Sequence, residues 1–454
     1  MLKRLFKNKR ELFLILLHLA IGFSVFVLPF LSKLLSLIVL FGSFFVVLVA
    51  RNKTFAVLLC CAYVATSDVF FRMTGGLFFY ELHKYLLIAL PLLAIVYDFA
   101  SVKGYVYLVY ILLLLSTIVI TEYNLNDEVR KMIAFNLSGP VSLGFFAFFC
   151  YKKKVTMKQL SKVFLYSALP VVSIAVYLFL YNPSVKEVVT GTASNFATSG
   201  GFGPNQVATI LGAGIFVFIT RLIINKMSKI QMLIEFSILC VIVFRGLVTF
   251  SRGGILVALI ASIVFCAMVF LKGNSKYVLK VVRMFAFFVI SGVVLWLYTV
   301  SRTSGLIENR YTNKNALGQE KKDVTTGRKQ LILVEFQAFF ENPVFGIGVG
   351  KNKEYRQERT GIVAASHNEF SRILAEHGTF GLVAFLILLL TPLILRLENR
   401  NNIYFYSCLI IWLLTINHSA MRIAFPSFIY GLAVLDVHFE KKRPIEAKKK
   451  ALQS

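Results

Sequence analysis

The chain has 454 residues, 57% hydrophobic and 16% charged, with a mean hydropathy of +0.74, a composition that excludes an ordinary soluble domain. Its formal net charge of +27 does not indicate nucleic acid, because the basic residues sit mostly in short connections between apolar runs, as in a membrane protein that keeps its basic loops on one side. The cysteines (Cys60, Cys61, Cys150, Cys240, Cys266, Cys408) all lie within apolar runs, at spacings that suit neither a metal site nor a disulfide framework, and read as packing residues.

A helix needs roughly 20 apolar residues to cross a hydrocarbon core of about 30 Å. The runs here are continuous, not alternating, so the spans are helices. About 14 are predicted, near 11–30, 34–50, 54–71, 85–100, 104–121, 132–150, 160–181, 205–224, 229–250, 254–271, 280–300, 368–395, 402–418 and 420–438. The first follows a basic start and precedes no convincing cleavage site, so it reads as a retained span and not a signal peptide.

Lysine and arginine placement sets the orientation. One set of connections holds Lys3, Arg4, Lys7, Lys9 and Arg10; Arg51 and Lys53; Lys152 to Lys154; Lys226 and Lys229; Lys272, Lys276 and Lys280; and Arg396 and Arg400. The basic tail from Glu440 to Lys450 reads as an anchor to anionic lipid. Both termini are then expected in the cytosol. The opposite side receives a loop at 182–205 and a long charged loop at 301–366. Within the latter, Arg328–Glu341 reads as a helix, with Thr325 or Thr326 as its cap and Pro343 as its stop, followed by a glycine-rich turn at Gly346–Gly350. The expected fold is all-α and polytopic, a single transmembrane domain over 1–454 with about 12–14 spans and a long, partly helical extracytoplasmic loop at 301–366.

Several residues stand out chemically. Arg245 lies inside an apolar run, and Arg252 follows in Ser251-Arg252-Gly253-Gly254. If one helix holds both, the two guanidinium groups share a face. Arginine in a membrane marks a functional site by default, and a pair on one face suits a phosphate ligand. The plainer reading is snorkelling to headgroups. His367 opens a span in Ser366-His367-Asn368-Glu369, where an imidazole can take a proton at neutral pH or simply anchor at the interface. Arg328 begins the loop helix, an unfavourable place for a cation unless an anion binds there, also to free backbone N–H groups. Arg72 and Lys84 flank another outer segment and add positive potential to the same cavity, or are ordinary interfacial cations. Among the other histidines, His18 and His418 read as packing or interface residues and His438 as cytosolic-side. His83 and His377 are outer-side, with an accessory role left open. No Asp-x-Asp pair stands in an outer loop, which disfavours metal-assisted sugar transfer. No phosphate-binding P-loop is present either, and no cofactor is called for.

Taken in order, five elements resemble the O-antigen ligase and O-antigen polymerase superfamily of bacterial envelope glycan transferases. They are Gly203-Pro204-Asn205-Gln206, Ser251-Arg252-Gly253-Gly254, Thr326-Gly327-Arg328, Asn342 to Gly348, and His367-Asn368 with Gly378 and Gly381. The resemblance covers about residues 205–381. It implies a multi-pass protein of the bacterial inner (cytoplasmic) membrane with a periplasmic active site. The implied donor is an undecaprenyl pyrophosphate-linked glycan, and the implied acceptor a hydroxyl of lipid A-core or of another glycan, by metal-independent, inverting transfer. It also implies that His367 is the general base and that Arg252, Arg328 and Arg245 hold the pyrophosphate; Asn205, Asn368, Arg72 and Lys84 are candidate accessory residues. Ligase and polymerase differ in acceptor, not donor chemistry; transfer to a protein hydroxyl shares the motifs. A flippase or transporter for lipid-linked sugars predicts internal repeats and discontinuous helices, which the sequence does not display.

Overall fold

Helices form where the apolar runs lie and stop at residues that cap or break them. A computed structural model describes residues 9–97, 103–121, 127–272, 275–321, 323, 325, 327–398 and 400–439. In chain order they form α1 (Lys9–Val27), α2 (Phe30–Val49), α3 (Lys53–Met73), α4 (Leu82–Tyr97), α5 (Val106–Ile120), α6 (Asp127–Cys150), β1 (Lys154–Thr156), α7 (Met157–Tyr181), α8 (Val185–Val188), α9 (Pro204–Ile224), α10 (Lys229–Val248), α11 (Arg252–Lys272), α12 (Ser275–Arg302), α13 (Leu306–Tyr311), α14 (Arg328–Glu341), α15 (Asn352–Thr360), α16 (Glu369–Glu398), α17 (Phe405–Ser419), α18 (Phe425–Ala433) and β2 (Asp436–His438). Lys3, Arg4, Lys7, Thr326 and the tail from Glu440 lie outside the described residues. Local chemistry sets several starts: Thr156 and Gln159 form a reciprocal capping box on α7, Ser228 caps α10, and Pro204 begins α9.

Among the described residues, 10 helices are long and apolar enough to cross a membrane, and α4, α5 and α17 are shorter apolar helices. The chain is thus an all-α, multi-pass membrane protein. Burial separates centre from periphery: 89% of the α9 span is enclosed and only 6% of the α12 span. Helix α9 packs closely on α11, where a Cβ on Gly254 would lie 2.2 Å from the Ala208 carbonyl oxygen. The glycines of Ser251-Arg252-Gly253-Gly254 thus serve helix packing.

The run near 420–438 is not the continuous span expected from its apolarity. Ala420 takes a φ of +52°, and the Ala424 N–H donates to Asp68 Oδ2 at 2.9 Å. Helix α18 begins only at Pro426's turn and lasts 9 residues, since proline tolerates only the first turn of a helix. Strand β2 then pairs in parallel with β1.

The predicted basic connections gather at one end. There the Lys152 ammonium lies 2.7 Å from Glu398, Lys280 donates to the Asn225 carbonyl at 3.3 Å, Lys272 donates to the Arg400 carbonyl, and Lys53 sits over the Tyr97 ring. The other end carries α13, α14 and α15, so the long loop folds into three helices. It docks where α16 breaks: Gly378 has φ 59°, ψ −138°. Across that break Thr379 N–H donates to the Pro343 carbonyl at 2.7 Å, and Ile347 N–H to the Ala375 carbonyl at 2.9 Å. A Cβ on Gly378 would lie 2.5 Å from the Val344 oxygen, and one on Gly381 would lie 2.3 Å from the Ile373 oxygen.

Candidate active site

Helix α10 ends at Val248, and Phe250 adopts a φ of +57°, so the chain turns before α11. The turn is fixed by Thr249 Oγ1 accepting from Ser251 N–H at 3.1 Å and by Ser251 Oγ donating to Asn205 Oδ1 at 2.7 Å. It puts Asn205, Ser251 and Arg252 on the wall of a cavity of about 420 Å³. Helix α14 supplies the other wall with Arg328, Lys329, Ile332, Leu333 and Phe336; Arg310 and His418 complete it. Among the described residues, the cavity thus has four cationic side chains, Arg252, Arg310, Arg328 and Lys329, and no carboxylate.

These cations are held close without an internal counter-charge. Arg252 donates to Asn313 Oδ1 at 2.6 Å, and Arg310 donates to the Phe250 carbonyl at 3.0 Å. Burial, then Arg252 and Arg328, lowers the pKa of Arg310; burial, then Arg252, lowers that of Arg328. Mutual repulsion in a partly desolvated space is relieved when an anion enters. At the start of α14, Gly327 N–H donates to Asp323 Oδ2 at 2.5 Å, Arg328 N–H to the Thr325 carbonyl at 3.3 Å and Lys329 N–H to Thr325 Oγ1 at 3.4 Å, so these three amides are already engaged. Gly327, with φ 80°, precedes the helix in place of the expected threonine.

His367 precedes α16. Asn368 Oδ1 accepts from Ser371 N–H at 3.0 Å, so Asn368 caps the helix and fixes where the imidazole stands. His367 Nδ1 is buried and has no hydrogen-bond partner. Burial first, then the charges of Arg422, Arg328, Arg356 and His418, push its pKa down to about 4. The imidazole is therefore neutral at neutral pH, the form that accepts a proton.

Beyond His367 lies a larger cavity of about 920 Å³, between the outer end of α6, helix α15 and the start of α16. Arg372 bridges Glu369 and Glu376 on its floor, and Arg356 pairs with Glu335 at 2.6 Å, both fully buried. Ser371 donates to the same Glu335 carboxylate, tying α14 to α16. Burial raises the pKa of Glu335 against the opposing effect of Ser371, Ser366 and Arg356.

The structure brings Asn205, Arg252 and Arg328 together and puts His367 within reach of the Arg328 charge. It does not bring in Arg245. Because the helix stops before Arg252, the two arginines share no face, and Arg245 donates to the Asn182 carbonyl at 2.9 Å and to the Phe179 carbonyl at 3.3 Å. Arg72 donates to Asp68 at 2.7 Å and stacks on Tyr80. Lys84 is buried against Glu81 at 2.6 Å and Ser138 at 3.1 Å. Both are tied up in helix packing away from either cavity's lining. Of the histidines, His83 and His377 are buried, the latter bonded to Thr117 at 2.7 Å. His418, read from the sequence as packing, lines the arginine cavity. Arg310, Lys329, Arg422 and the Glu335 cluster carried no local signal, since their meaning depends on contacts distant in sequence.

No curated protein matches the chain. Residues 236–386 match the family model described as O-antigen ligase. That stretch contains Arg252, Arg310, Arg328, the α16 break and His367, so the match falls on the elements that build the cavity. The matched stretch, about a third of the chain, is similar to the family described as O-antigen ligase.

Proposed function

We propose that the protein is a glycan transferase of the ligase type. It moves a glycan from undecaprenyl pyrophosphate to an acceptor hydroxyl, first choice lipid A-core, at the periplasmic face of the bacterial inner membrane. The observation that carries this reading is the cavity whose described lining holds four cations and no carboxylate, close to a neutral histidine. The diphosphate oxygens pair with Arg252, Arg310, Arg328 and Lys329. The acceptor oxygen attacks the anomeric carbon from the face opposite the leaving group, inverting that centre. The bond from anomeric carbon to phosphate oxygen breaks, and its electrons stay on the diphosphate. His367 takes the hydroxyl proton. Fixed cations are suited to the charge that grows on the leaving group, an effect worth several kcal/mol in a water-poor site; a positioned base adds roughly 10²–10⁴-fold.

The motifs equally resemble polymerases of O-antigen or exopolysaccharide, which share this donor chemistry and differ in acceptor. Complementation of ligase-null and polymerase-null strains tests both. Wild type is expected to restore lipopolysaccharide laddering in the ligase-null strain, while His367→Ala and Arg252→Ala reach the membrane and restore nothing. Rescue of the polymerase-null strain alone assigns the other acceptor. Full activity in Arg252→Ala removes the diphosphate site.

A further inference from the structure

We infer that the larger cavity is the acceptor subsite, a pocket for a neutral, polyhydroxylated carbohydrate that presents one hydroxyl to His367. This deepens the transferase reading and rests on it. Charge separates the two cavities. Among the described residues, the charged groups lining the smaller one are all cations. The larger one is lined by Glu128, Glu354, Glu369 and Glu376 and by Lys131, Lys353, Arg372 and Arg422, with Arg372 paired to Glu369 and Glu376. A balanced lining has no preference for an anion. Closely set donors and acceptors are what a polyol needs, since each hydroxyl gives one hydrogen bond and accepts others.

The floor is preorganised. Asn352 donates to Glu376 at 3.3 Å, and Arg372 donates to the Asn136 carbonyl at 3.2 Å. Phe135, Met132 and Met421 add apolar surface for the C–H face of a sugar ring. The volume of about 920 Å³ is at the upper end of the roughly 300–1,000 Å³ usual for small-molecule sites, enough for more than one ring.

His367 lines neither cavity, but its surroundings connect it to both. Its chain neighbour Ser366 lines the larger one, as does Arg422, which donates to the Ser366 carbonyl. Arg328 and His418, whose charges also act on the imidazole, line the smaller one. A base whose neighbours line both a diphosphate pocket and a polyol pocket is placed to deprotonate a hydroxyl arriving from the second toward a carbon held in the first.

The test uses the full chain in detergent, with single cysteines at Ala365 in the larger cavity, Lys329 in the smaller, and Leu317, 82% exposed, outside both. Labelling by a maleimide is followed with two probes: farnesyl diphosphate, and oligosaccharides released by mild acid from the envelope polysaccharide of the strain that carries the protein. The oligosaccharides are expected to slow labelling of Ala365→Cys several-fold and to spare Lys329→Cys; farnesyl diphosphate is expected to do the reverse. Leu317→Cys reacts equally throughout. Oligosaccharide protection of Lys329→Cys instead of Ala365→Cys overturns the inference and leaves the donor pocket standing. Failure of farnesyl diphosphate to protect Lys329→Cys removes the donor pocket itself. In vesicles with native donor and acceptor, Ala365→Trp is expected to raise the acceptor KM by about tenfold or more while the donor KM stays within about twofold. An unchanged acceptor KM overturns the assignment.

Discussion

At His367 position sets the protonation state. The imidazole accepts a proton only when neutral, and burial with three nearby arginines holds its pKa down to about 4. The accepting form therefore dominates above that pH and is lost as pH falls through it. Arg422→Gln removes the largest of the charge repulsions, so the pKa is expected to rise toward the ordinary 6.5 and the acid limb of kcat/KM to move to higher pH. The kcat/KM profile reports groups of the free enzyme, so initial rates between pH 4 and 8 provide the check; an acid limb that stays in place or moves lower contradicts the assignment of His367 as base. How much of the site was legible depends on residue type. Arg252 could be picked out as a membrane arginine beside glycines that permit close approach, and Arg328 as a cation opening a helix, which is locally unfavourable. His367 was legible from its motif. Arg310 lies among many charges, and His418 lies in an apolar run, so nothing local distinguished either. Arg245 misled because its apolar surroundings imply a helix continuing to Arg252, and the positive φ of Phe250 is not written in residue type.

Helix α14 was legible to the residue, since Arg328–Glu341 is flanked by Gly327 and Pro343 and needs no long-range information. The break in α16 was not, because a run of apolar residues looks the same whether it is one helix or two. Its glycines were visible, but their reason lies across space: Gly378 and Gly346 are squeezed against each other's segments. A Cβ at Gly378 adds strain at φ 59° and meets the Val344 oxygen at 2.5 Å. Gly378→Ala is expected to cost at least roughly 1–3 kcal/mol and to loosen the loop that carries Arg328. Gly42 in α2 has nothing within 4 Å of its Cβ position, and Gly42→Ala is expected to be stabilising by roughly 0.5–1 kcal/mol through helix propensity. Thermal unfolding in detergent separates the two, and equal melting temperatures for the pair would falsify the account of the α16 junction.

Across the whole molecule, the one-sided distribution of lysine and arginine foretold which connections cluster, because each membrane crossing reverses the side and basic loops return to the same face. The last crossing is where length misled. Residues 420–434 form only a 9-residue helix, yet their two ends lie at opposite ends of the bundle. Met421 N–H reaches Glu369 at the cavity end, and the Val434 carbonyl accepts from Lys152 N–H at the basic end. Extended backbone rises more than twice as far per residue as helix, so a short helix with an extended approach covers the distance. Its buried polar groups are bonded to Asp68, Gly139 and Leu388, as a non-helical segment at membrane depth requires. The cavities and the last described residues therefore lie at opposite ends of the bundle. Cysteines at Leu317 and at Lys229, which is exposed at the start of α10, are therefore expected to differ in spheroplasts: an impermeant maleimide labels Leu317→Cys directly and Lys229→Cys only after permeabilisation. If both react without permeabilisation, or only Lys229→Cys does, then the sidedness is wrong and the two cavities face the cytosol, where no periplasmic acceptor reaches them.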